Sequence, residues 1–298
     1  MTKITAGACA LSEYKEIIGG DKNFRRIFPA LSLELDQYCR RAYKGGFVWV
    51  NPEYAGKNIE ECGEVYDVNS MFPGVMYNCC LPYGLPVYTE TEPKPGILWI
   101  GRVYVGHAKV KNGYIPTIQI KGGRYADTEY LSEIADQILY ITSVDWNLIK
   151  AHYIITDVRF IDGYCFKSKQ GMFKKYIDKW IKVKQESTGA LKYIAKLMLN
   201  SLYGKFGLNP IRRSLNAKTE DGTLKFYINA EEVVESIYVP MAAFITAYAR
   251  HQIITNGQKD IKNLLYIDTD SIHRIKVGTP DFEIDNKKLG AYKLESTF

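Results

Sequence analysis

Leu264–His273 reads LLYIDTDSIH. The apolar run Leu264-Leu265-Tyr266-Ile267 predicts a buried strand. Asp268-Thr269-Asp270 predicts a tight turn, because aspartate tolerates turn geometry that strands avoid. Ser271-Ile272-His273 follows. The stretch is therefore a β-hairpin presenting acid at its tip. An Asp-x-Asp turn alone is more often structural than catalytic, so its meaning depends on what else the fold brings to it.

Working upstream, Glu64–Phe72 (EVYDVNSMF) predicts a strand with Asp67 near its end. Pro73 then opens a short helix through Tyr77, a position where its missing N–H is harmless. The turn between them offers successive backbone N–H groups, which can hold a phosphate. Asp67 and Asp270 are 203 residues apart, so the fold must bring them together if they share a metal ion. Phe173–Gln185 and Ala190–Phe206 predict two helices joined by Glu186-Ser187-Thr188-Gly189, a helical hairpin. At a helical period, Leu191, Ile194, Ala195, Met198 and Leu202 share one side of the second helix. Lys192, Lys196, Asn200 and Tyr203 fall within a narrow arc on another side. Two lysines alone suit a solvated face. Asn200 and Tyr203 beside them, with Gly204 next, suit a face that something approaches closely.

The remaining chain supplies weaker signals. Leu11–Ile18 and Leu31–Arg41 have helical patterns, with the basic cluster Lys22-Asn23-Phe24-Arg25-Arg26 between them. Tyr43-Lys44-Gly45-Gly46 combines an aromatic, a cation and paired glycines, a set that suits a single nucleic-acid strand. Ile97–Val105, Ala108–Val110 and Tyr114–Ile120 predict strands, with turns at Gly106 and Asn112-Gly113. Leu131–Tyr153 mixes strand and helix signals. Asn209–Val239, with the basic pair Arg212-Arg213 and a polar turn at Asp221-Gly222, predicts a protruding β-hairpin. Pro240–Ile254 predicts a helix carrying Thr246, Ala249 and Arg250.

Composition sets bounds. The 298 residues are 46% hydrophobic and 24% charged, which is ordinary for one or two globular domains. A net charge of +6 permits a polyanionic partner without requiring one. The 23 tyrosines suit a surface that packs on bases, although tyrosine also serves cores. None of the six cysteines forms a C-x-x-C pair and no signal peptide is evident, which reads as a reduced intracellular chain and argues against a disulfide scaffold or zinc site. No run approaches transmembrane length, so no membrane partner is expected.

Three segments now combine. DVNSMFP from Asp67, KLMLNSLYG from Lys196 and YIDTDS from Tyr266 resemble the three polymerase motifs of family B DNA polymerases, in that family's order. Tyr43–Gly46 resembles its Y-x-G-G/A element, and Thr246–Arg250 resembles the T-x-x-A-R element of the protein-primed branch. Longer matches, GYIPTIQIK from Gly113 and KLGAYKLESTF from Lys288, resemble phage enzymes that start replication from a terminal protein. A reverse transcriptase would instead show Tyr-x-Asp-Asp at the hairpin.

The resemblance implies an α+β fold: a polymerase palm, with antiparallel sheet and helices, plus helical-hairpin fingers. It implies residues 1–46 as the tail of an exonuclease–palm connection, 47–78 as palm, and 79–168 as an insertion contacting terminal protein. Residues 169–208 become fingers, 209–240 a hairpin insertion tied to processivity and strand displacement, and 241–298 palm again. The implied activity is template-directed dNTP addition with two Mg2+ ions, or Mn2+, in the cytoplasm of an infected bacterium. Asp67 and Asp270 are the implied catalytic metal ligands, with the Val68 carbonyl and Glu295 beside them and Asp268 auxiliary. Ser70, Met71, Phe72, Lys184, Lys192, Lys196, Asn200 and Tyr203 are implied for the nucleotide, Phe72 standing where the family usually has tyrosine as a steric gate. Tyr43, Lys44, Gly45, Gly46, Ser201, Gly204, Thr246, Arg250, Tyr266 and Thr269 are implied for primer–template DNA.

The exonuclease D-x-E motif has no counterpart, and Glu295–Phe298 falls where relatives continue into a thumb. The expectation is palm and fingers alone, either one piece of a split gene, which a separate thumb- or exonuclease-bearing chain would complete, or a trimmed or truncated form of a longer chain. The competing expectation is an inactive fragment that binds DNA or terminal protein.

Overall fold

A computed structural model describes residues 5–120, 129–213 and 215–298. The first part of the chain runs α1 (Ala6–Ile17), α2 (Asp21–Ile27), α3 (Leu33–Arg41), β1 (Val48–Val50), β2 (Gly63–Val68) and α4 (Met71–Asn78). The middle runs β3 (Cys80–Thr89), β4 (Leu98–Val110), β5 (Ile118–Ile120), β6 (Glu129–Leu131), β7 (Glu133–Thr142), α5 (Ser143–His152) and β8 (Tyr153–Gln170). Then come α6 (Lys174–Glu186), α7 (Gly189–Phe206), β9 (Ile211–Arg212), β10 (Leu215–Glu220), β11 (Thr223–Ile228) and β12 (Glu232–Val233). The chain finishes with α8 (Val239–Lys259), β13 (Leu264–Asp268), β14 (Ser271–Ile275) and β15 (Tyr292–Thr297). This is an α+β fold. Lys121, the last residue of the GYIPTIQIK match, lies outside the described residues.

The central sheet has the order β1-β13-β14-β2-β15, antiparallel throughout. The predicted acidic hairpin is β13–β14, closed at Thr269 with a left-handed φ of 52°. Strand β2 lies between β14 and β15, so Asp67 is opposite Ser271 on one side and Lys293 on the other. Apolar side chains of the sheet, among them Val68, Ile267 and Ile272, share a core with α4 and α8. Helix α8 buries residues all around its axis, which marks it as a core helix rather than a surface one.

The second sheet, β3-β8-β4-β7, is built on two long strands. Here the expected turn at Gly106 is corrected: β4 runs straight through it. A Cβ at Gly106 would stand 2.8 Å from the Asp157 side chain, so the glycine marks a close approach between strands, not a reversal. The ambiguous 131–153 region resolves into β6, β7 and α5, the helix being capped by Thr142, whose hydroxyl accepts from the Asp145 N–H at 3.1 Å.

The basic cluster at 22–26 lies within a helix of its own, α2. Its Phe24 joins Tyr14, Phe28, Phe173 and Phe206 in an aromatic cluster that anchors the base of the α6–α7 hairpin. On α7 only the base-proximal part of the expected apolar side is buried. Ala195, Met198 and Leu202 are inside, whereas Leu191 and Ile194 are exposed, because the hairpin projects beyond the body.

Candidate active site

Two strands hold the carboxylates in register. The Val68 N–H donates to the Asp270 carbonyl at 2.8 Å, and Asp67 faces Ser271 across β2–β14. Asp67 and Asp270 thus meet at one end of the sheet. Burial, and then the negative charge of Asp67, push the Asp270 carboxyl up to about 6. Asp268 is exposed on the turn and accepts from the Thr269 hydroxyl at 3.2 Å. Glu295 lies at an irregularity of β15, where pairing shifts between Leu294 and Ser296, and its side chain reaches the same cleft.

Among the described residues, no three or more His, Cys, Asp or Glu side chains form a metal-binding group of their own. The donor set still fits magnesium, which binds through one or two carboxylates and takes substrate phosphates as further ligands. Two like charges are held together, and a divalent cation would relieve them.

Above the carboxylates is a cleft of about 350 Å³. The first turn of α4 supplies one wall with Ser70, Met71 and Phe72, and the α6–α7 hairpin supplies the other with Lys184, Lys196, Asn200 and Tyr203. Ser70 adopts a left-handed conformation with φ of 52°, which turns the chain from β2 into α4. The N–H groups of Val68 and Asn69 are taken by the carbonyls of Asp270 and Ala291. Those available for a phosphate by helix geometry are therefore in the first turn of α4. The Phe72 and Tyr203 rings pack at 4.3 Å, tilted by 31°. The Lys184 ammonium donates to Ser70 Oγ at 2.8 Å. Burial, then the charges of Lys196 and Lys293, lower the Lys184 pKa, with Asp67 opposing. Lys192 lines an adjoining cleft with Lys287.

Two residues of this cleft were missed by the sequence reading, Asn69 and Lys293. Asn69 donates to the Asp285 carbonyl at 2.6 Å and so pins the loop before β15. Lys293 places its ammonium 3.2 Å from Asp67 Oδ1. Strand alternation puts residue 293 on the face of residue 295, which was the available signal.

The residues expected to meet DNA divide into two groups. Gly45 and Gly204 face open space, Gly46, Tyr266 and Thr269 are part-exposed beside the acidic turn, and Tyr43 and Ser201 are part-exposed. A Cβ at Gly46 would strike the Thr269 side chain at 2.8 Å, and the Thr269 N–H donates to the Phe47 carbonyl at 2.8 Å. The Tyr43–Gly46 segment is thereby seated on the acidic turn. Lys44 is half-buried, and burial lowers its pKa to about 8, with Asp145 opposing and Arg250 adding to the fall.

Thr246 and Arg250, also expected at DNA, are both buried. The Thr246 hydroxyl donates within its helix to the Ala242 carbonyl at 3.1 Å. The Arg250 guanidinium forks onto both carboxylate oxygens of Asp145 at 2.8–3.0 Å. It also donates to the carbonyls of Lys44 at 2.9 Å and Gly45 at 2.7 Å. A polar group on a core helix must be paired inside. Arg250 accordingly holds the backbone of the Tyr43–Gly46 segment.

Comparison with known proteins follows from this geometry. The family model described as DNA polymerase type B, organellar and viral, matches residues 1–289. DNA polymerases of Bacillus phages Nf and phi29 are each 44% identical over the whole chain. That of Streptococcus phage Cp-1 is 35% identical over 99% of it. The solved structure of phi29 DNA polymerase with primer–template DNA and incoming nucleotide superposes with a TM-score of 0.92 at 42% identity, covering 99% of this chain and 53% of that one. The chain spans about half the length of the curated relatives it matches.

Proposed function

The chain belongs to the organellar and viral type B DNA polymerase family, and from that premise we propose that it is the nucleotidyl-transfer core of a phage DNA polymerase. The observation that carries this reading is the meeting of Asp67 and Asp270 beneath the Lys184, Lys196, Asn200 and Tyr203 wall. In the proposed reaction a primer 3′-oxygen attacks the α-phosphorus of a dNTP in line, and pyrophosphate leaves. Asp67 and Asp270, with the Val68 carbonyl and Glu295 at the edge, would hold two Mg2+ ions, or Mn2+, which stabilise the attacking and leaving oxygens.

The chain's own residues do the rest. Lys184 and Lys196 offset the charge of the triphosphate, and Lys192 extends that field into the adjoining cleft. The first-turn N–H groups of α4, at Met71 and Phe72, point toward the phosphates, and Lys184 holds Ser70 so that this turn keeps its place. The Phe72 ring, braced by Tyr203, excludes a 2′-hydroxyl by bulk, while Asn200 and Tyr203 flank the nascent base pair. Asp268 stays outside the cleft as an auxiliary charge. Tyr43–Gly46, Ser201, Gly204, Tyr266 and Thr269 form the approach for the primer terminus.

In this reading the β1-β13-β14-β2-β15 sheet is the palm and α6–α7 the fingers. The 79–168 insertion, whose four-stranded sheet runs on to Gln170, is the surface for terminal protein, and 209–240 is the hairpin for strand separation. The phage relatives support protein-primed replication in the cytoplasm of an infected host. No helix of the described residues is long and apolar enough to cross a membrane.

The test is primer extension by the purified chain, alone and with a thumb-bearing partner, against Asp67→Ala and Asp270→Ala. Both variants should fold, by circular dichroism, and lose nucleotide addition. Extension at the unsubstituted rate by either variant would falsify the assignment.

A further inference from the structure

A cation already occupies the acidic end of the sheet. Lys293 is directly opposite Asp67 in the β15–β2 register. Its Nζ lies 3.2 Å from Asp67 Oδ1 and 3.8 Å from Glu295 Oε1. Among the described residues it is the one cation within ion-pair distance of Asp67. Lys184, the neighbouring ammonium, is engaged by Ser70 instead.

The same side chain borders two spaces. It lines the carboxylate cleft, and it lines the adjoining cleft that Lys184, Lys192, Lys196 and Lys287 make strongly positive. About one third of its side-chain surface is exposed, so the four-carbon stem is free to swing between them. A magnesium ion bonds a carboxylate oxygen at roughly 2.0–2.1 Å. An ammonium at hydrogen-bond distance from that oxygen competes for its lone pairs and repels the ion. At Oδ1 the two cations are therefore in direct competition, and a metal ion on the other oxygen would sit against the ammonium's charge.

Resting on the polymerase reading above, we propose that Lys293 is a tethered counter-cation of the metal-free site: its ammonium neutralises Asp67 and Glu295, and a divalent ion binds only by displacing it into the adjoining cleft. Lys293 is then a positioning residue. It offsets part of the charge of Asp67 and Glu295 while no metal is present, and it sets the metal concentration at which the site fills.

The experiment is Mn2+ titration of the intact chain without nucleotide or DNA, with free Mn2+ read by electron paramagnetic resonance. The samples are wild type, Lys293→Met, Lys293→Arg and Asp67→Asn. Methionine keeps the stem and removes the charge. Lys293→Met should bind Mn2+ about ten-fold more tightly than wild type, within the usual range of site couplings. Lys293→Arg should bind no more tightly than wild type, and Asp67→Asn should lose the site. Equal or weaker binding by Lys293→Met, with Asp67→Asn defective, overturns the counter-cation role and leaves the polymerase reading standing. Equal binding by wild type and Asp67→Asn overturns the metal assignment and this proposal with it.

Discussion

The Val68 N–H donates to the Asp270 carbonyl at 2.8 Å, one residue beyond Asp67 on its own strand. That bond ties together two acidic segments from distant parts of the chain. It fixes the backbone beneath both carboxylates, so their closeness is imposed by the sheet and not chosen by the side chains. Burial there, and then the closeness of Asp67, fall on Asp270, whose carboxyl is pushed up to about 6 from its ordinary 3.8.

Asp270→Asn should therefore stabilise the metal-free chain at neutral pH while abolishing nucleotide addition. Below the ordinary carboxylate pKa the acid is protonated in folded and unfolded chains alike, and it contributes nothing to the pH dependence. Between about pH 4 and 6 the unfolded chain ionises first, so wild-type stability falls as pH rises. Above that window the penalty is complete. The shift corresponds to at most about 3 kcal/mol, and solvent screening at this half-exposed site reduces it to about 1 kcal/mol. Melting curves from pH 4 to 8 should show the variant's advantage growing and then levelling. Added Mg2+ should raise the wild-type melting temperature at pH 7.5 more than that of the variant. A melting temperature for Asp270→Asn below wild type at pH 7.5 without metal refutes this.

Phe72→Val should admit ribonucleotides. The Phe72 ring is held against Tyr203 at 4.3 Å and has little freedom to move away from a 2′-hydroxyl. Removing it opens space at the sugar. The ratio of dNTP to rNTP incorporation efficiency should fall about ten-fold or more, the scale on which a pocket distinguishes one small group. An unchanged ratio removes Phe72 from that role.

Arg250→Ala should destabilise the chain by about 3–5 kcal/mol, because it strands the buried Asp145 carboxylate. It also frees the Lys44 and Gly45 carbonyls, so Tyr43–Gly46 should become more mobile. Denaturant unfolding measures the first effect and hydrogen exchange of residues 43–46 the second. Asp145→Asn with Arg250→Met should recover part of the stability and none of the segment's order. If the single variant melts like wild type, the guanidinium is not the clamp described.

These outcomes separate what the sequence could disclose from what it could not. The acidic hairpin, the Asp67 strand and the α6–α7 pair were legible because each is a local pattern of alternation, turn chemistry or helical period. Gly106 was misread because a glycine in a strand looks the same whether it turns the chain or admits Asp157. The buried pairing of Thr246 and Arg250 was not legible because an all-round apolar helix does not say which neighbour pairs its polar residues. Lys293 escaped notice because its importance comes only from register with Asp67, on a strand from the opposite end of the chain.

The β10–β11 ribbon yields the last prediction. Its register places Leu215 opposite Ile228, Ala217 opposite Phe226 and Thr219 opposite Leu224, all on one face. Asn216, Tyr227, Lys218 and Lys225 occupy the other. Every residue of both strands is exposed, so among the described residues nothing covers the apolar face. Burial of that face cannot be what keeps the fold together. Phe226→Ser with Ile228→Ser should then alter stability by no more than about 0.5 kcal/mol, as surface changes usually do. On the polymerase reading the exposed face meets DNA, where apolar side chains wedge between bases or stack on them. The double variant should extend a primer on single-stranded template at the wild-type rate and stall where a downstream strand must be displaced. Equal defects on both templates would point to lost grip on the primer–template duplex instead. Wild-type progress through the downstream duplex would refute a role for this face in strand separation.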